Sequence, residues 1–236
     1  MQPRNGGPDA PGDRAPHDGP PIPPGVEARQ LAPEVRRELS TLDRATADAV
    51  ARHLVAAGEL IDEDPEAALS HARAARARSS RIAAVREAVG IAAYHCGDWA
   101  QALAELRAAR RMGSKSPLLA LIADCERGLG RPERAIELAR GEEAAQLSGD
   151  DADELRIVAA GARADLGQLE QALTLLSTPQ LDPTRAGSTA ARLFYAYADT
   201  LLALGRNDEA LQWFLRSAAA DIEGVTDAEE RVSELA

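Results

Sequence analysis

One short phrase recurs five times along this chain: a turn residue, three or four further residues, then alanine followed by a large apolar residue. The copies read Asp64-Pro65-Glu66-Ala67-Ala68-Leu69, Gly97-Asp98-Trp99-Ala100-Gln101-Ala102-Leu103, Gly130-Arg131-Pro132-Glu133-Arg134-Ala135-Ile136, Gly167-Gln168-Leu169-Glu170-Gln171-Ala172-Leu173 and Gly205-Arg206-Asn207-Asp208-Glu209-Ala210-Leu211. Measured between Ala68, Ala102, Ala135, Ala172 and Ala210, the intervals are 34, 33, 37 and 38 residues. A period of this size marks stacked two-helix units, each burying against its neighbours the apolar face it cannot bury alone.

The residues between the anchors favour helix. Hydrophobic residues make up 45% of the 236-residue chain but aromatics only 3%. Ala and Leu, the strongest helix formers, dominate the rest. An amphipathic run covers Leu42–Ile61, after which the pattern predicts helices over 66–78, 81–96, 99–111, 116–128, 132–146, 151–166, 169–177, 188–204 and 207–219, with a last one over about 226–235. Gly97, Gly130, Gly167 and Gly205 fall where a helix ends and positive φ is needed. Pro65 and Pro132 open the following helix, where a missing N–H costs nothing. Asp64, Asp98 and Asp208 place negative charge at helix N-termini. The two longer intervals are assigned to loops at 147–150 and 178–184.

Residues 1–26 hold eight prolines and five glycines with few large apolar residues. Such a segment does not offset its ordering entropy, and a disordered tail over 1–32 is expected before a helix opening at Pro33. Pro20-Pro21-Ile22-Pro23-Pro24 favours a short polyproline II stretch, read as plain tail or as an SH3-type ligand. Two cysteines, Cys96 and Cys125, form no CxxC pair and fit a reducing compartment. With no apolar run of about 18 residues and no signal-like start, the expectation is a cytoplasmic protein without membrane contact.

The phrase resembles the tetratricopeptide repeat (TPR) family, a helix–turn–helix unit of about 34 residues. The clearest copy is 83–116, where Gly90 lies seven residues before Gly97, Trp99 takes the aromatic place, Ala102 packs the two helices, and Leu106 and Ala109 extend the stripe. Ala123, Ala160 and Ala198 replace Gly90 elsewhere, and Pro132, Leu169 and Asn207 replace the aromatic. The resemblance spans about residues 43–220. The stretches 81–88 and 193–199 are similar to those of short actinobacterial TPR proteins. This resemblance implies an all-α, right-handed superhelix of about five repeats over 33–225, a capping helix over 226–236, and a non-enzymatic protein-interaction scaffold.

It also implies that the first helix of each pair lines a concave groove. Counting from the anchors places His53, Glu87, Tyr94, Asp124, Arg127, Asp165, Arg192, Tyr195 and Asp199 there. Carboxylates beside tyrosines suit a peptide or helical segment of a partner, basic in character, while the bland alternative is a solvated acidic face. The Lys and Asn clamp of chaperone-binding TPRs is absent, His53, Ala57, Ala88 and Leu121 standing in its place.

Formal net charge is −11, which disfavours general nucleic-acid or anionic-lipid binding. Residues 70–116 depart from this, with nine basic residues against three acidic ones. Arg73 and Arg107 share one repeat position, and Arg76 and Arg110 another, which predicts a convex basic ridge. Two readings stand: docking to RNA or a ribonucleoprotein through arginine forks, or a solvated face whose charges meet Glu63, Asp64 and Glu66. Self-association through the terminal helices is a further possibility. The histidines and cysteines have no zinc-like spacing, and there is no Ser-His-Asp order, nucleotide loop or HExxH, so no metal, cofactor or catalytic residue is assigned.

Overall fold

The computed structural model describes residues 19–177 and 181–236, and among these every regular element is a helix. They are α1 (Pro33–Leu39), α2 (Arg44–Leu60), α3 (Pro65–Arg78), α4 (Ala83–His95), α5 (Trp99–Arg111), α6 (Leu119–Gly128), α7 (Pro132–Ala139), α8 (Gly149–Asp165), α9 (Leu169–Leu176), α10 (Ser188–Ala203), α11 (Asn207–Ala220) and α12 (Ala228–Leu235), with short 3-10 turns at Ala28–Gln30 and Ala144–Gln146. From α2 to α11 they form five antiparallel pairs. Each second helix packs both on its own first helix and on the first helix of the next pair, and α11 packs on α12 in the same way. The result is an α-solenoid.

The anchor alanines explain the stacking. Ala68, Ala102, Ala135, Ala172 and Ala210 are all completely buried, where only a methyl group fits between paired helices. Gly90 allows the closest approach: a Cβ built on it would lie 2.7 Å from the Leu106 side chain and 3.1 Å from the Leu106 backbone nitrogen. At the turn, Gly97 adopts φ +70°, so that its N–H donates to Tyr94 O at 2.9 Å and the Asp98 N–H donates to Ala93 O at 2.9 Å. Those two bonds satisfy carbonyls that the end of α4 would otherwise leave unpaired.

Two expectations are corrected. The helix read over 132–146 ends at Ala139. Gly141 weakens the helix there, and the chain folds back so that Ala144 and Leu147 rest on the apolar cluster around Leu155. The second correction concerns the tail. Residues 1–18 lie outside the described residues, but 19–32, counted with the tail, pack against the first pair. Val26 is buried against Val55 and Ala56, with Ile22 and Leu31 beside it. These few side chains cover that part of the first pair. Gly19 (φ +71°) lies so close that a Cβ there would be 2.5 Å from that of Ala74. At the other end α12 lays Val232 and Leu235 into the cluster around Phe214.

Candidate functional site

Three consecutive first helices, α4, α6 and α8, carry a connected polar network. The Tyr94 hydroxyl donates to Asp124 Oδ2 at 2.5 Å. Arg127 Nη1 donates to Asp124 Oδ1 at 2.9 Å, and Arg127 Nε donates to Asp165 Oδ2 at 2.6 Å. Tyr94 and Asp124 lie 30 residues apart, and Arg127 and Asp165 lie 38 apart, so each link joins neighbouring repeats. Burial, and then the Asp124 carboxylate, push the Tyr94 phenol well above its ordinary range, which keeps it a neutral donor. Trp99, at the start of α5, meets Tyr94 edge-on with centroids 5.2 Å apart and lies flat against Gly128. Beside these side chains is an open recess of about 570 Å³ lined by Trp99, Asp124, Arg127, Pro132 and Asp165. Asp165 keeps 40% of its side chain exposed, and its second oxygen is unengaged among the described residues.

The other residues assigned to the groove are differently placed. Glu87 on α4 accepts from Ser114 Oγ at 2.7 Å and Ser116 Oγ at 2.6 Å, so the loop after α5 crosses onto it. Arg192 on α10 donates through Nε to Glu154 at 3.1 Å. Tyr195 meets Phe214 edge-on at 5.2 Å, and burial, followed by the Asp227 carboxylate, pushes its hydroxyl up to about 12. Asp199 faces Arg231 of α12 at 3.4 Å. Both Tyr195 and Asp199 therefore belong in part to the junction with the last helix.

His53 does not line the groove; it is 3% exposed, between α2 and α3. Its Nδ1 lies 3.0 Å from Nδ1 of His71, so one ring donates and the other accepts. The two residues are equally distant from the Asp62 turn, and antiparallel helices place such residues face to face. That count along the chain would have found the pair. Burial lowers the pKa of His71, which favours its neutral form.

The convex basic ridge is also corrected. Arg73 hydrogen-bonds Gln101 and lies 3.8 Å from Asp98; Arg76 pairs with Glu105. Arg107 pairs with Glu126 at 2.5 Å and Arg110 with Glu143 at 3.0 Å. These acids lie further along the chain, Asp98 just before α5, Glu105 in α5, Glu126 in α6 and Glu143 after α7, and not in the Glu63–Glu66 turn expected. Two of them are deeply buried, and each is held by a second arginine: Glu105 by Arg86 at 2.8 Å, Glu126 by Arg131 at 3.4 Å. Asp153, 1% exposed, repeats the arrangement with Arg156 and with Arg185 at 2.7 Å. A buried carboxylate needs such partners to offset its lost hydration. The four arginines lie 25, 29, 19 and 33 residues from their acids in sequence. With no common offset, no periodic signal pointed to these pairs.

Burial raises both thiols above their ordinary range, Cys125 to about 12, which suits structural residues. Among the described residues no group of three His, Cys, Asp or Glu side chains is placed to hold a metal ion, and no helix is long and apolar enough to cross a membrane.

No protein-family model and no curated protein matches the sequence. Among solved structures the chain is similar to YrrB, a TPR protein with an unusual peptide-binding site, at 18% identity over 78% of this chain and 91% of that one, with a TM-score of 0.45.

Proposed function

We propose that this chain is a non-enzymatic interaction scaffold that holds a basic peptide segment on its first-helix face, at Tyr94, Asp124, Arg127 and Asp165. One observation carries the reading: two carboxylates and the guanidinium between them are fixed by links from repeat to repeat, next to a recess that leaves one Asp165 oxygen and Trp99 open to a guest. A guest arginine or lysine would place its charge on Asp165 and its stem along Trp99. The network is already ordered, so little side-chain entropy is lost on binding. Asp124 holds both Tyr94 and Arg127, which makes Tyr94 and Asp124 poor test positions. Asp165→Asn is the better variant, because its carboxylate is exposed and has one partner.

Fluorescence anisotropy against labelled peptide sets tests the reading. Arginine-rich peptides should bind the intact chain more tightly than acidic peptides of equal length. Asp165→Asn should weaken that binding about tenfold while leaving the thermal midpoint nearly unchanged. Equal binding of both sets, or no effect of the substitution, rejects the assignment. The arginine-ridge reading receives no such support, since all four of its arginines are engaged.

A further inference from the structure

The opposite, second-helix side carries a feature that the groove does not explain. α7 and α9 are only eight residues long, and the chain after α7 turns back over α8. Between α7, α8 and α9 this leaves a recess of about 320 Å³. Its floor and walls are apolar, with Leu155, Leu147 and Leu175 prominent, and its polar groups are three arginines: Arg140, Arg156 and Arg163. No acidic residue lines it among the described residues. In a chain of net charge −11 that is an unusual local balance.

Two of the three guanidiniums, those of Arg140 and Arg163, are not compensated in the way the ridge arginines are. The Arg140 side chain has no hydrogen bond or ion pair among the described residues. Arg163 hydrogen-bonds the Gln168 amide, a neutral acceptor that leaves its charge uncancelled. Arg156 pairs with Asp153 and is compensated as the ridge arginines are, which leaves Arg140 and Arg163 as the open charges. Positive charge therefore stands over an apolar floor, where the lower local dielectric strengthens attraction for an anion. Guanidinium forks match a carboxylate in particular.

We propose that this recess binds a small amphipathic anion: an apolar body bearing one carboxylate. Its volume lies at the low end of ligand pockets, which run from about 300 to 1,000 Å³. It admits roughly ten non-hydrogen atoms at about 30 Å³ each, the volume share of a water molecule in the liquid. The apolar body would cover Leu155 and Leu175, and the carboxylate would meet Arg140 and Arg163 at the rim. This site is separate from the groove and does not depend on that reading.

Isothermal titration of the full chain with sodium octanoate, beside 1-octanol, tests the proposal. The expected result is saturable binding of one octanoate per chain. Arg140→Ala, at an exposed position, should weaken octanoate about tenfold and leave octanol unchanged. Ala152→Phe, which fills the recess, should remove both, with a thermal melt to confirm that the variant is folded. No saturation by octanoate below about 10 mM overturns the proposal, as does unchanged affinity in Arg140→Ala. Binding of an acidic peptide at this place without octanoate binding overturns it too.

Discussion

The first two repeats and the next two solve the same packing problem differently. In the first two, the second helices α3 and α5 are 14 and 13 residues long, and each is capped by an aspartate: Asp64 accepts from Ala67 N at 3.0 Å and Asp98 from Gln101 N at 3.1 Å. In the next two, α7 and α9 are eight residues each, and the residues at the cap positions, Arg131 and Gln168, make no side-chain cap. These shorter helices belong to the longer intervals of 37 and 38 residues. The added residues, with several taken from the helix ends, form the connections at 140–148 and 177–187. Meanwhile Ala135 and Ala172 stay fully buried, and the first helices that follow the two longer connections, α8 and α10, run to 17 and 16 residues. The first-helix layer is thus maintained through the longer repeats, while the second-helix layer opens into a recess.

The contrast can be broken most severely at the glycines of the first-helix layer. Gly90→Ala should cost about 3 kcal/mol, because the new methyl meets the fully buried Leu106 side chain and its backbone. Gly161→Ala, two repeats on, meets only the half-exposed Arg127 guanidinium at 3.2 to 3.3 Å and gains helix propensity. Its stability should stay within about 1 kcal/mol of the parent, on either side of zero. Urea denaturation of both variants checks the pair; equal losses would mean that the two repeats are packed alike.

A smaller effect is expected from Arg185→Ala, which leaves buried Asp153 with Arg156 as its one remaining arginine among the described ion pairs. A loss of about 2 kcal/mol follows from the poorer compensation of a buried charge. Hydrogen exchange should rise in α8 and α10 and hardly change in α2 to α5. Uniform loss of protection would show that the repeats unfold as one unit.

The smallest effect is one of pH and falls on the first pair. Burial lowers the His71 pKa in the folded protein, so below its ordinary value of 6.5 the unfolded chain takes up a proton that the folded one resists. Stability from this group is present above pH 6.5 and is lost as pH falls below it, at no more than about 1.4 kcal/mol per pH unit. Protonation of both rings would also break the contact between His53 and His71. Unfolding midpoints at pH 7.5 and 5.5 should differ less in His71→Gln than in the parent; an identical difference would remove the histidine pair as the cause.

Much of the architecture was legible because it rests on local, periodic constraints. Small residues recur where helices cross, and glycine recurs where a helix must end. Tyr94, Asp124 and Asp165 were legible because they stand 8, 11 and 7 residues before their anchor alanines, offsets that fall on one helix face. Three things were not. The packed segment 19–32 has too few apolar residues to signal order, and its order depends on an apolar face elsewhere in the chain. The early end of α7 is set by Ala144 and Leu147 returning to the Leu155 cluster, which helix propensity does not record. The acids opposite the arginine ridge stand at irregular separations, so a face that looks basic in one dimension is neutralised in three.

By itself, then, the sequence determined the five stacked helix pairs, because a methyl-sized contact every 33 to 38 residues permits little else. Only the tertiary structure decided which charges are compensated. Ion pairing depends on side chains from different repeats meeting within a few ångströms, and that distance has no counterpart in spacing along the chain.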